Sequence, residues 1–374
     1  MNVIINASNL KVGGAIQVAI STIKELHRFP ENNYHVFLSP AFEGLIEKTV
    51  FEEPNIKIYW VRFPSRFTLS GKVAELDALE EEIGAVCVFS IFGPTYWRPK
   101  STHLAGFALG YYIYRHLPYF KSLGLLEKFR LSLLRNYHKY LLKRHIDEFV
   151  VETSDVRRKL GIFLNIDYDK IHVATNTYSS YFSNYEKSPN LGSSNAIGKQ
   201  FRLLTIAYPY PHKNLAVLKE VSDILNSEGI LYIFNVTVSD CFYKKVFQGY
   251  EDSIVNLGHV DNKNCPKLYE QVDAMILPTL VECFSASYPE AMVMNRPILT
   301  SDYSFAKSIC GEAAIYFDPF NPSDIAEKIR LLASDRNLYK GLVSAGSKRL
   351  GSFLSPTQRC EKYINLLSMM RDKK

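Results

Sequence analysis

Two carboxylates separated by seven residues, Glu282 and Glu290, stand in the run Pro278-Thr-Leu-Val-Glu282-Cys-Phe-Ser-Ala-Ser-Tyr-Pro-Glu290-Ala-Met. The apolar run before them, Val272-Asp-Ala-Met-Ile-Leu-Pro278, reads as a buried parallel strand, and the residues after Glu290 read as a short helix that stops near Asn295-Arg-Pro297. Glu282 then lies on a strand-to-helix loop and Glu290 inside the helix. Ligands of open α/β sheets bind outside the carboxyl ends of the strands, so both carboxylates would face one crevice. Two acceptors in one crevice suit a polyhydroxylated ligand, because a carboxylate accepts hydrogen bonds from neighbouring hydroxyls. A pair of capping or surface glutamates would show the same spacing. Lys213, in Ala207-Tyr-Pro-Tyr-Pro-His-Lys213-Asn214, follows another strand. An ammonium there can offset negative charge growing on a leaving phosphate. Gly13-Gly14 follows the first strand and opens a helix, a place where backbone amides can meet an oxygen without Cβ obstruction.

These residues need strands that end where helices begin, and the chain alternates the two throughout. Strands are expected at 2–7, 34–39, 57–62, 86–90, 103–107 and 148–152, with helices near 14–28, 71–83, 119–145 and 154–161. A second series has strands at 202–207, 231–237, 254–257, 273–277, 297–300 and 314–317, with helices near 214–227, 241–249, 263–271, 287–294, 322–333, 336–350 and 356–371. Alternation of this kind signals parallel sheets covered by helices. Between the series, Tyr178 to Gln200 is rich in Ser and Asn and carries Pro189 and Gly192, the composition of a linker. The expected division is 1–178 plus 355–374 for a first domain, 179–200 for the linker and 201–354 for a second domain. Ser355-Pro356 suits a helix start, with Ser as cap and Pro in the first turn.

Composition narrows the class without naming a function. At 374 residues, 47% hydrophobic and 22% charged, the chain has the length for two domains and an ordinary globular balance. The six cysteines form no Cys-x-x-Cys pair, which argues against structural zinc and a disulfide framework and makes a reducing cytoplasm the expected location. Met1-Asn-Val-Ile-Ile-Asn6 reads as a strand rather than a leader, and no apolar run approaches the roughly 18 residues of a membrane span.

The ordered set of motifs resembles a family 4 (group 1) glycosyltransferase of bacterial surface-polysaccharide type. It includes Gly13-Gly14, Val150-Val-Glu-Thr-Ser154-Asp155 with Asn176, Lys213-Asn214, Gly258, Asp273 to Pro278, Glu282 to Glu290, Arg296-Pro-Ile-Leu-Thr-Ser301 and Gly311 to Pro319. The resemblance implies an α/β protein of GT-B architecture: two Rossmann-like, doubly wound parallel-sheet domains facing a central cleft, with the last helix returning to the first domain. It implies a retaining, metal-independent transfer of a hexosyl or other glycosyl group from a nucleotide-diphosphate sugar to a saccharide acceptor. That acceptor would be lipid-linked, as in O-antigen assembly. No cofactor is expected beyond the nucleotide sugar.

Role by role, the resemblance assigns Glu290 to the ribose hydroxyls, Glu282 to hydroxyls of the transferred sugar, and Lys213 to the diphosphate. Glu282 and Lys213 carry the chemistry. The backbone of Cys283, Phe284 and Ser285 would lie beside the phosphates, and His259 and Val260 near the base. On the acceptor side it places Gly13 and Gly14, with His103 and His116 as candidate histidines. Two departures stand out. Where relatives carry an arginine five residues before the lysine, this chain has Tyr208, so a second cation would have to come from Arg202 or His212. Where they carry glycines, this chain has Cys283 and Ser285, which narrow the pocket. Asp167-Tyr-Asp169 mimics a metal-binding Asp-x-Asp, but it sits in a turn before the strand Lys170-Ile-His-Val173, so no metal is assigned.

Arg115 to His145 holds eight Lys/Arg against the single acid Glu127. On a helical wheel Lys121, Lys128, Arg135, Lys139 and Lys143 share one face and Leu126, Phe129, Leu133, Tyr137 and Tyr140 the other. Such a helix can lie on the cytoplasmic face of an anionic inner membrane, or pack its apolar face into a core and leave a basic outer face. The net charge of +6 favours the membrane surface, and the absence of an aromatic recognition platform disfavours nucleic acid. Two other classes share parts of this reading. A sugar-nucleotide epimerase would need a further acid/base pair, and a non-catalytic nucleotide-sugar-binding protein would bind without turnover.

Overall fold

Short apolar runs rich in Val, Ile, Leu and Phe, each stopped by a polar or glycine-containing loop, form thirteen strands among the described residues of a computed structural model. Those residues are 1–46, 53–67, 69–187 and 200–373. The chain divides into two units, Met1–Asn176 with Leu354–Lys374, and Thr177–Phe353. Of the segment expected as a linker, residues 188–199 lie outside the described residues; the part before them holds a short helix, Ser180–Ser183.

The first unit contains β1 (Asn2–Ala7), β2 (Asn33–Leu38), β3 (Ile56–Trp60), β4 (Cys87–Ser90), β5 (Thr102–Gly106), β6 (Glu148–Val151) and β7 (Ile171–Val173). They pair in parallel in the order β3-β2-β1-β4-β5-β6-β7. The second unit contains β8 (Phe201–Thr205), β9 (Tyr232–Val236), β10 (Ile254–Asn256), β11 (Ala274–Leu277), β12 (Ile298–Ser301) and β13 (Ala314–Phe317). Their order is β10-β9-β8-β11-β12-β13, again all parallel. Each sheet is therefore doubly wound: the chain lays strands outward on one side, then returns to the middle and proceeds on the other.

Both faces of the first sheet are covered. One core gathers Val3, Ile5, Val36 and Phe89 with Ile16, Ala19 and Ile23 of the helix Gly14–Glu25; the other holds Ile4, Phe37, Val88 and Trp97. Cys360, Tyr363, Ile364, Leu367 and Met370 of the last helix, Pro356–Asp372, belong to the first of these cores. Ser355 and Gln358 close a reciprocal capping box at its start, with Pro356 in the first turn. The second unit buries Leu203, Phe234, Ile254 and Ile276 under Leu218, Val221, Ile325 and Ile329.

The basic segment differs from its expectation. Leu123 and Gly124 are extended and break it into Tyr119–Ser122 and Leu125–His145. Leu126, Phe129 and Leu133, expected to pack inward if the helix joined a core, are exposed. The helix buries His138, Leu141, Leu142 and His145 instead, and two residues of its basic side also meet the protein: Arg135 and Lys139 lie over the Phe163 ring at 4.4 and 5.4 Å, and Arg135 Nε donates to the Tyr112 carbonyl at 3.0 Å. The long alkyl stems and cation–π contacts let Arg and Lys act as packing residues. Two short helices, Gly110–Ile113 and Ser304–Cys310, were not expected; each spans too few residues to show a helical period.

Candidate donor site at the ends of β8 and β11

In the second sheet the winding reverses between β8 and β11, so the loops leaving their carboxyl ends diverge to opposite faces and open a binding place. Lys213 lies on the first of these loops and Glu282 on the second. Their side chains pair directly, Lys213 Nζ donating to Glu282 Oε2, and they are only 13% and 18% exposed. Two opposite charges held largely away from water attract strongly, and removal of one leaves the other uncompensated.

Backbone and hydroxyl bonds fix this pair. Pro211–Lys213 forms a single tight turn, closed by Lys213 N–H donating to the Tyr210 carbonyl at 2.8 Å. Asn214 ends it in the left-handed region, φ 54°, a conformation Asn tolerates better than most residues, and its side-chain amide donates to the Pro319 carbonyl at 2.8 Å. The second loop is tied to the first at three points. Leu280 N–H and the Thr279 hydroxyl donate to the His212 carbonyl at 2.7 and 3.3 Å, and the Ser287 hydroxyl donates to the Ile206 carbonyl at 3.3 Å.

Glu290 lies in the helix Ser287–Val293 and is only 8% exposed. Burial raises its carboxyl from 4.5 to about 7, and the Tyr269 hydroxyl, donating to Oε2 at 3.3 Å, opposes the rise. Tyr269 is fully buried in the helix Cys265–Glu270. The carboxyl end of that helix is held by Arg296, itself buried, whose Nε donates to the Tyr269 carbonyl at 2.7 Å and Nη2 to the Glu270 carbonyl at 3.0 Å. A cation at a helix carboxyl end meets both unpaired carbonyls and the negative end of the dipole. Tyr269 and Arg296 were not singled out from sequence. A large aromatic just ahead of β11 and an arginine just behind Glu290's helix are the signals that could have drawn attention to them.

Neither second cation expected near Lys213 is available. Arg202 belongs to the start of β8, at the opposite end of the strand, where its Nη1 donates to the Gln271 carbonyl at 3.2 Å. His212 is held neutral: burial, then the neighbouring Lys213 charge, lowers its ring from 6.5 to about 4. Its ring stacks on Tyr210 at 5.5 Å, and Tyr210 contacts Tyr208 at 4.5 Å, so an aromatic row with an exposed Tyr208 takes the place of a guanidinium. Cys283 and Ser285 are buried, and Phe284 packs edge-on to Phe353 at 6.2 Å. His259 and Val260 follow β10 on a turn begun by Gly258 at φ 70°, with the His259 side chain 92% exposed.

In the first unit, Gly13 caps its helix at φ 76°, which favours glycine, whereas a Cβ on Gly14 would meet nothing within 4 Å. His103 is corrected. Its ring lies in β5 with both nitrogens engaged, Nε2 with Ser90 Oγ at 2.8 Å and Nδ1 with the His145 carbonyl at 2.5 Å, and burial lowers it to about 4. It is a structural residue. His116 is exposed beside the Tyr114 ring, 6.3 Å away. Asp167 and Asp169 lie at the turn before β7.

The architecture and this site define a class. The chain has the GT-B fold, and residues 192–349 match the family model described as glycosyl transferases, group 1. That stretch therefore belongs to the group 1 glycosyl transferases, and the family resemblance read from the sequence is shown there. The chain is 23% identical over 189 residues to the O-antigen chain mannosyltransferase RfbU of Salmonella typhimurium, covering 49% of this chain and 51% of that protein. It spans about half or less of the length of the curated relatives it matches. Among solved structures it is similar to WaaG, a glycosyltransferase involved in lipopolysaccharide biosynthesis, with TM-score 0.72 and 14% identity over 98% of this chain and 100% of that one. It is also similar to Anabaena HepE in complex with UDP-glucose, with TM-score 0.71 and 14% identity over 99% and 100% of the two chains.

Proposed function

We propose that the protein transfers a sugar, with retention of anomeric configuration, from a nucleotide diphosphate to a saccharide acceptor. The reading rests on the Lys213–Glu282 pair at the point where the second sheet's winding reverses. A diphosphate carries more negative charge than one carboxylate and competes for the Lys213 ammonium. Its arrival frees Glu282 to accept hydrogen bonds from hydroxyls of the sugar. Glu290, in its ionised form, takes two ribose hydroxyls. The backbone of Cys283, Phe284 and Ser285 lies beside the phosphates, Tyr208 extends along the donor, and His259 with Val260 serves the base.

In the transfer step the acceptor hydroxyl attacks the anomeric carbon on the side from which the phosphate departs. The new carbon–oxygen bond forms as the old one breaks, and the departing phosphate oxygen takes the acceptor's proton. Lys213 stabilises the charge on that phosphate. No metal or cofactor is assigned a part, so transfer is expected to persist in a chelator. The acceptor is assigned to Gly13, Gly14 and the exposed His116. It would be a lipid-linked saccharide of surface-polysaccharide assembly, met on the cytoplasmic side; similarity to the O-antigen mannosyltransferase supports this setting.

Incubation with a panel of nucleotide sugars, with and without saccharide acceptors, tests the reading. Nucleoside diphosphate release with product of the donor's anomeric configuration is expected. Epimerised donor, or binding without turnover, would overturn it.

A further inference from the structure

One face of the first unit exposes apolar side chains that a folded domain ordinarily covers. On the helix Leu125–His145, Leu126, Phe129 and Leu133 are 81%, 63% and 56% exposed, and helical spacing sets them in one stripe with Tyr140. Beside the helix runs a segment in which Phe67 is 91% exposed. The Tyr137 hydroxyl donates to the Arg66 carbonyl, and Arg98 N–H donates to the Gly71 carbonyl at 2.9 Å. Gly71 sits at φ +73°, and a Cβ there would lie 2.8 Å from the His145 ring, so the segment is held close to the helix end. Where the stripe ends, Arg98, Tyr140, Lys143 and Arg144 line a shallow open pocket.

Single exposed leucines are ordinary, but a contiguous apolar patch rimmed by charge marks an interaction surface. The occupant must be apolar beneath and anionic at its rim. The stripe meets the first condition. The exposed cations Arg98, Arg130, Lys143 and Arg144 meet the second. No described helix is long and apolar enough to cross a membrane, which leaves the interfacial plane.

We propose that this face docks on an anionic lipid bilayer. Leu126, Phe129, Leu133 and Phe67 enter the acyl boundary, Tyr140 sits at headgroup level, and Arg98, Arg130, Lys143 and Arg144 meet headgroup phosphates. The cations that pack on Phe163, Arg135 and Lys139, do not take part. The proposal stands apart from the transfer reaction, and its failure would leave that reading untouched.

Flotation of the full chain with vesicles tests it. Phosphatidylcholine vesicles containing about a third phosphatidylglycerol should carry the protein, pure phosphatidylcholine should carry little, and high salt should weaken the binding. Combined Phe67→Ser, Leu126→Ser and Phe129→Ser should lower partitioning at least about tenfold. Arg130→Ala and Arg144→Ala should each lower it about fivefold. All these side chains are exposed, so unchanged melting temperatures and nucleoside diphosphate affinity are expected and show that the variants fold. Equal binding to neutral vesicles, or anionic binding indifferent to the serine variants, would overturn the proposal. So would a dimer in sedimentation that the serine variants dissociate, because the face would then belong to a second copy of the chain.

Discussion

The loops leaving β1 and β4 in the first unit and those leaving β8 and β11 in the second occupy equivalent places in two sheets of like winding, yet they are bridged by opposite chemistry. In the first unit the bridge is neutral. The Asn9 amide donates to the Phe92 and Pro94 carbonyls at 2.8 and 3.0 Å, and beneath it Asn6, Ser90 and His103 link three neighbouring strands. In the second unit an ammonium and a carboxylate meet in the same place, and on the helix that follows the second loop burial raises the Glu290 carboxyl to about 7. Winding supplies the place and side chains supply the task. A neutral amide network rigidifies, whereas a charge pair can be opened by an anionic ligand.

The largest test of this contrast is the pair itself. Lys213→Ala and Glu282→Ala are each expected to lower transfer about a hundred- to a thousand-fold, measured as nucleoside diphosphate release. Intact transfer in both would break the comparison.

Glu290 sharpens it through pH. Its folded pKa lies above the unfolded value, 4.5 against about 7, so the folded chain keeps a proton that the unfolded chain releases. Stability from this group is full below 4.5, declines as pH rises to about 7 and is flat beyond. Glu290→Gln removes that decline. The variant should gain up to about 3 kcal/mol over the parent at pH 8 relative to pH 4, read from denaturant melts at the two pH values. Because the ionised form takes the ribose hydroxyls, the parent's affinity for nucleoside diphosphate should rise about tenfold from pH 6 to 8, and the variant's should not.

In the first unit the opposite result is expected. His103→Ala leaves Ser90 with Asn6 as its one remaining side-chain partner, strips the His145 carbonyl of the ring donor and leaves a cavity behind, a loss of about 2 to 3 kcal/mol in chemical denaturation. Nucleoside diphosphate affinity should not change. The smallest effect is at the return helix, where Ser355→Ala removes one half of the capping box and should cost about 1 kcal/mol.

Much of this was readable in one dimension. Apolar runs ending in polar loops located the strands, and Glu282 and Lys213 were legible because each stands just past such a run. Glu290 was legible as an acceptor, but its raised pKa was not, since burial depends on Tyr269 and on a helix pinned by Arg296 from beyond the site. Arg202 was misjudged for a similar reason: sequence proximity to Lys213 hides the length of β8 between them. His212 lost its charge to burial that no local pattern records. The basic helix was legible as two-faced, with membrane surface and core both open as destinations. A helical wheel has no knowledge of a distant ring such as Phe163 that can receive arginine and lysine.

The last helix, Pro356–Asp372, supplies Cys360, Tyr363, Ile364, Leu367 and Met370 to the core beneath β1 and β4. During synthesis, therefore, Met1–Asn176 leave the ribosome lacking one wall of their interior. The second unit can close as soon as Phe353 is clear, and the unit begun before it is completed after it.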